Sequence, residues 1–83
     1  MDDIRNKICD FIKTRFEIGN DPDFEPDVHL FDYGFVDSLG ATEIVFFIER
    51  EFGIEITQRD ITMYPMNTVN EISGVVAKKL GAA

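Results

Sequence analysis

The 83-residue chain carries a net charge of −8, a sequence pI near 4.4 and 45% hydrophobic residues, eight of them Phe. Acidity of this size repels phosphate backbones and anionic lipid surfaces, so no nucleic-acid binding is expected. The lone Cys9 rules out an internal disulfide, and the longest apolar run, Ile44 to Ile48, is far short of the roughly 20 residues that span a bilayer. Met1 is followed by two aspartates rather than by a basic and then apolar leader. The expectation is one small cytoplasmic domain over residues 1–83, acting as a monomer.

The first helix is expected from about Asp2 to Phe16. Ile4, Ile8, Phe11 and Ile12 recur at helical spacing, Asp2 and Asp3 suit the positive end of the dipole, and Gly19 lies just beyond. Residues 17–37 then hold seven acidic and no basic residues, with Pro22 and Pro26 and no helical period. This is a long acidic loop, anchored by Phe24, Val28, Leu30, Phe31 and Phe35. A loop of that length in a compact domain points to function or to a hidden turn of helix.

A second helix is expected from Asp37 or Ser38 to Phe52, with Gly53 in the position that commonly ends a helix. Ile54 and Ile56 read as an extended stretch tucked into the core. Thr57 and Asp60 have the spacing of a capping box and predict a short third helix that Pro65 must end. Thr68 and Glu71 look like a stronger box. They open a last helix whose Val69, Ile72, Val76 and Leu80 form one stripe, closed by Lys78, Lys79 and Gly81. The fold class is therefore all-α: a small four-helix bundle, three main helices plus a short third, with a long acidic loop after the first.

Catalytic chemistry finds little support in these residues. His29 is the only histidine and reads as a turn or surface residue. Ser38 lacks the first glycine of a nucleophile elbow, and no sheet exists to carry one. Cys9 borders the apolar stripe of the first helix and reads as core filler. Asp21, Asp23, Glu25 and Asp27 alternate like the start of a calcium loop, but Pro26 stands where such a loop needs Gly, so no metal site is expected.

The second helix is the informative one. At about 100° per residue, Ala41, Ile44, Val45, Ile48 and Phe52 share the core face. Leu39, Thr42, Glu43, Phe46 and Arg50 project roughly opposite, with Glu49 at the margin and Phe47 at the flank. Leu39 and Phe46 are then surplus apolar residues with charge around them. Two readings stay open for them: burial beneath the long loop, or a partner-binding stripe with a charged rim. Asp37-Ser38-Leu39 heads that stripe, and alone it reads as a polar N-cap pair.

In company, these segments resemble the acyl carrier protein family and the related carrier domains of polyketide and nonribosomal peptide synthesis. The resemblance is carried by Gly34-Phe35-Val36-Asp37-Ser38-Leu39-Gly40, Glu43-Ile44-Val45 and Ile48-Glu49-Arg50-Glu51-Phe52-Gly53-Ile54-Glu55-Ile56, with Thr68-Val69-Asn70-Glu71-Ile72 opening the last helix. It implies that Ser38 receives 4′-phosphopantetheine from coenzyme A through a phosphopantetheinyl transferase. The arm's thiol would carry an acyl or aminoacyl group as a thioester, for delivery to enzymes of a specialised lipid, polyketide or peptide pathway. It also implies a carrier rather than an enzyme. Asp37, Leu39, Glu43, Phe46 and Glu49 match its recognition positions, and Thr42 and Arg50 share their face. Those residues would meet the basic docking surfaces of loading and transferring enzymes.

The sequence departs from fatty-acid carriers in places. Arg50 reverses a charge, Gly40 looks like the polyketide type, and Phe46 is bulkier than usual. The stretch from Thr57 to Thr68 has the length seen in some aminoacyl carriers. A competing reading keeps the same helical fold as an acidic protein-interaction module with no prosthetic group.

Overall fold

The computed structural model describes residues 2–81. Four helices follow one another: α1 (Asp2–Arg15), α2 (Ser38–Phe52), α3 (Gln58–Met63) and α4 (Val69–Lys79), with no strand among the described residues. The expected all-α bundle with a short third helix is the observed fold. Its core is a single cluster to which every long segment contributes: Ile8 and Ile12 of α1, Leu30 and Val36 of the loop, Ile44 and Ile48 of α2, and Val69, Ile72 and Val76 of α4. The helices α1 and α4 pack against each other. Leu80, expected at the end of the α4 stripe, instead lies 44% exposed just past the helix.

The end of α1 differs from expectation in an instructive way. Glu17, not Gly19, first takes a left-handed conformation, with φ 55°. The Ile18 N–H donates to the Lys13 carbonyl at 2.9 Å and the Glu17 N–H to the Thr14 carbonyl at 3.4 Å, the paired bonds of a Schellman ending. Gly19, two residues on, is left-handed as well.

The acidic segment contains no helix but is far from loose. Phe24, Val28, Leu30 and Val36 are buried. The Leu30 N–H donates to the Asn67 carbonyl and the Asn70 N–H to the Pro26 carbonyl, both at 2.9 Å, which pins the loop to the entry of α4. Its acids face outward. His29 is a turn residue whose Nδ1 accepts from the Asp32 N–H at 3.1 Å.

The two expected capping boxes exchange quality. Thr57 and Asp60 form the reciprocal box: Thr57 Oγ1 accepts from the Asp60 N–H and the Asp60 carboxylate accepts from the Thr57 N–H. At α4, Thr68 Oγ1 accepts from the Glu71 N–H at 3.0 Å, but the Glu71 carboxylate reaches one residue further back, to the Asn67 N–H at 2.9 Å. Asp60 has a second task. Lys79 of α4 approaches its carboxylate to 2.6 Å, and that hydrogen bond, with those from Thr57, lowers its pKa to about 2. The stabilisation is thus present above the ordinary carboxylate range and is lost as pH falls through about 2. Because α3 buries no residue, this link and the Lys78 ammonium 4.8 Å from the Tyr64 ring centre hold it to α4.

Candidate functional site

The start of α2 is built by three short-range devices. Gly34, at φ 77°, and the turn around it bring the Phe35 and Val36 N–H groups onto the Leu30 carbonyl at 3.0 and 3.2 Å. Val36 is buried there as an anchor. Asp37 follows in extended conformation and caps the helix: its Oδ1 accepts from the Gly40 N–H at 2.8 Å and its carbonyl from the Ala41 N–H at 2.9 Å. Ser38 is the next residue, the first of α2, and it is exposed.

Gly40 explains how closely the neighbouring elements approach this turn. It is buried, and a Cβ there would lie 2.7 Å from Phe16 Cε1 and 2.8 Å from Val36 Cγ1. The Phe16 ring occupies the space a side chain would need. The end of α1 therefore seats directly on the first turn of α2 and fixes where Ser38 stands.

The helical phasing expected for α2 is observed at its centre. Ile44 and Ile48 are buried, and Ala41, Val45 and Phe52 are half-buried. Leu39 and Phe46 are 78% and 62% exposed, so they are not covered by the loop. Thr42 and Arg50 are exposed beside them. Two acids on this helix have internal partners. Glu43 is half-buried and accepts from the Arg15 guanidinium of α1. Glu49 is half-buried and its Oε2 accepts from the Ile56 N–H at 2.9 Å, holding the extended stretch after α2. Phe47, expected at the flank, stacks on Phe11 with ring centres 4.0 Å apart.

Exposed apolar residues also lie on α3. Ile61 and Met63 of α3 are 48% and 54% exposed, an apolar outward side on a helix with nothing buried. Their signal was present in the sequence as apolar residues in a helix too short to bury both sides. Between α2 and α3 lies a cavity of about 350 Å³, lined by Ala41, Thr42, Val45, Ile61, Tyr64 and Met66 among others. Its lining includes Ala41 and Thr42, about one turn beyond Ser38. Among the described residues no group of His, Cys, Asp or Glu is arranged to hold a metal ion, and no helix is long and apolar enough to cross a membrane. Cys9 is half-buried, and desolvation raises its thiol pKa above the ordinary value. It takes no part in this surface.

An exposed hydroxyl on the first residue of a capped helix suits a phosphate-linked group. The positive end of the helix dipole faces it. Residues 2–76 match the family model described as "Phosphopantetheine attachment site". The D-alanyl carrier protein of Bacillus subtilis (strain 168) is 40% identical over 52 residues, covering 58% of this chain and 67% of the relative. That of Bacillus velezensis (strain DSM 23117 / BGSC 10A6 / LMG 26770 / FZB42) is 36% identical over the same length and shares. No solved structure matches. The family's covalent 4′-phosphopantetheine supplies a thiol that holds cargo as a thioester. The chain belongs to the phosphopantetheine-dependent carrier proteins: it is an acyl or aminoacyl carrier that delivers cargo to partner enzymes, not a catalyst.

Proposed function

We propose that Ser38 is the attachment residue and that α2 is the surface the carrier's enzymes read. The observation that carries this reading is the exposed Ser38 at the head of a stripe whose Leu39 and Phe46 have no reason within the fold to face solvent. Asp37 acts twice, as the cap that orients Ser38 and as an acid beside it. Leu39 and Phe46 are the apolar anchors, and Thr42, Glu43 and Arg50 form the polar rim. Glu49 stands at the margin of this surface, where it also serves the fold through its bond to Ile56. Basic surfaces on the transferase and on the loading enzymes fit the net charge of −8. Coenzyme A as the source of the arm supports a cytoplasmic location.

The test is direct. Incubation with coenzyme A and a broad-specificity phosphopantetheinyl transferase is expected to add the mass of one arm to the parent chain and none to Ser38→Ala. Modification of the mutant, or an unmodified parent, sinks the reading and favours the interaction module without a prosthetic group.

For the cargo, the D-alanyl carriers among the relatives support an aminoacyl group. The cavity one turn from Ser38 favours a second reading, an apolar acyl chain that folds back between α2 and α3. Melting temperatures of chains loaded with D-alanyl and with medium-length acyl thioesters decide between them. A buried cargo raises the melting temperature, and a solvent-borne one leaves it where it was.

A further inference from the structure

We infer that Arg15 is an internal competitor for the docking surface: it occupies Glu43 and so weakens the approach of a basic partner to α2. The inference rests on the reading of α2 as that surface. No Lys or Arg lies between Arg15 and Arg50 in the sequence, so Arg15 is the cation that borders the acidic half of the chain. Its position is fixed by the fold. The Phe16 ring next to it fills the space at Gly40, and the Arg15 guanidinium sits 5.8 Å from the centre of that ring. From there it bonds the Glu43 carboxylate, on the outward side of α2 between Leu39 and Phe46.

The pair is open to exchange. The Arg15 and Glu43 side chains are 52% and 38% exposed, so water and salt reach both ions. Exposed pairs of this kind are weak, and a partner's cation that must displace Arg15 loses about two- to five-fold in apparent affinity. Glu43 lies about 8 Å along the helix from Ser38, within the range over which charges still act at physiological salt.

The molecule provides its own control. Lys7 of α1 and Glu51 of α2 form a similar pair at 3.4 Å, with side chains 56% and 40% exposed. That pair lies about 20 Å along α2 from Ser38. Lys7→Gln removes the same charge and the same kind of link between α1 and α2, far from the attachment residue.

The experiment measures kcat/KM for coenzyme A-dependent loading by a broad-specificity phosphopantetheinyl transferase at low ionic strength. Parent, Arg15→Gln, Lys7→Gln, Glu43→Gln and the Arg15→Gln/Glu43→Gln double variant are compared, with a thermal melt of each. The expected result is a two- to five-fold gain for Arg15→Gln over both parent and Lys7→Gln. The gain should shrink in added salt and fall to the Lys7→Gln level in the Glu43→Gln background. Equal rates for Arg15→Gln and Lys7→Gln overturn the inference, as does a gain that survives Glu43→Gln. A slower Arg15→Gln also overturns it and makes the pair a brace for α2. Loading that fails even in the parent overturns the reading of Ser38 itself, and with it this inference.

Discussion

The helices α2 and α4 are neighbours in one core, yet they are buried to different depths. In α4, eleven residues long, Val69, Ile72, Ser73, Val75, Val76 and Ala77 are all buried, and the helix is enclosed on more than one side. In α2, fifteen residues long, only Gly40, Ile44 and Ile48 are. One helix is scaffold and conceals even a serine. The other is a display surface that leaves a leucine and a phenylalanine in water. On the proposed reading the difference separates what the fold needs from what partners need, because an apolar residue exposed on a helix with a complete core face contributes little to folding.

The largest expected effect tests the two faces of α2 against each other. Ile48 is fully buried, and Ile48→Ala should cost about 2–5 kcal/mol in denaturant melts. Phe46→Ala, on the outward face, should change stability by less than about 0.5 kcal/mol and instead slow loading or transfer. Should Phe46→Ala unfold the chain as readily as Ile48→Ala, the display surface does not exist.

The next effect concerns the junction of α1 with α2. Gly40→Ala would place a methyl group within 3 Å of the Phe16 ring and the Val36 side chain. Alanine is the better helix former, so the net loss is expected at about 1–2 kcal/mol. It should come with slower loading, since the first turn carrying Ser38 must shift. A stable and fully active Gly40→Ala would mean that Phe16 does not hold this turn in place.

Much of this was legible from residue order alone, and the exceptions share one cause. N-caps, the Gly53 stop and the phase of α2 depend on residues within a turn or two of each other, which is the range of sequence periodicity. Arg15 with Glu43, Phe11 on Phe47 and Glu49 with Ile56 depend on how segments meet, and no spacing encodes that. The exchange between the two capping boxes is a finer case. Thr68-x-x-Glu71 has the better letters, but the longer Glu71 side chain finds the Asn67 N–H instead, and the shorter Asp60 closes the box at α3. Ser73 could not be read at all. A serine between Ile72 and Gly74 looks like a solvent-facing residue until α4 is seen to be enclosed.

That serine gives the third prediction, on the scaffold side of the comparison. The Ser73 hydroxyl is fully buried with no hydrogen-bond partner. A buried polar group left unpaired loses its hydration without recompense, so Ser73→Ala should raise stability by about 1 kcal/mol. Loading at Ser38 should not change. Loss of stability instead would show that the hydroxyl has a partner, such as a bridging water, inside the scaffold helix.

The smallest effect lies at the end of α1, beside the display surface. Glu17 holds a left-handed conformation that L side chains reach at a cost of about 1–2 kcal/mol, and glycine reaches it with none. Part of that gain is lost to glycine's larger freedom in the unfolded chain, about 0.5–1 kcal/mol. Glu17→Gly is thus expected to stabilise by about 0.5 kcal/mol. The same change removes one of the seven acids in residues 17–37, so charge must be separated from backbone. Glu17→Gln does that: it removes the charge and keeps the side chain that the left-handed turn disfavours. If both variants gain equally, crowded acids and not the backbone are the burden at this end. If only Glu17→Gly gains, the strain is local to the turn that seats Phe16 beneath Gly40, at the end of the molecule where Ser38 is displayed. Glutamate at that position then costs a small part of the stability close to the proposed docking surface, while α4 remains the part that holds the fold.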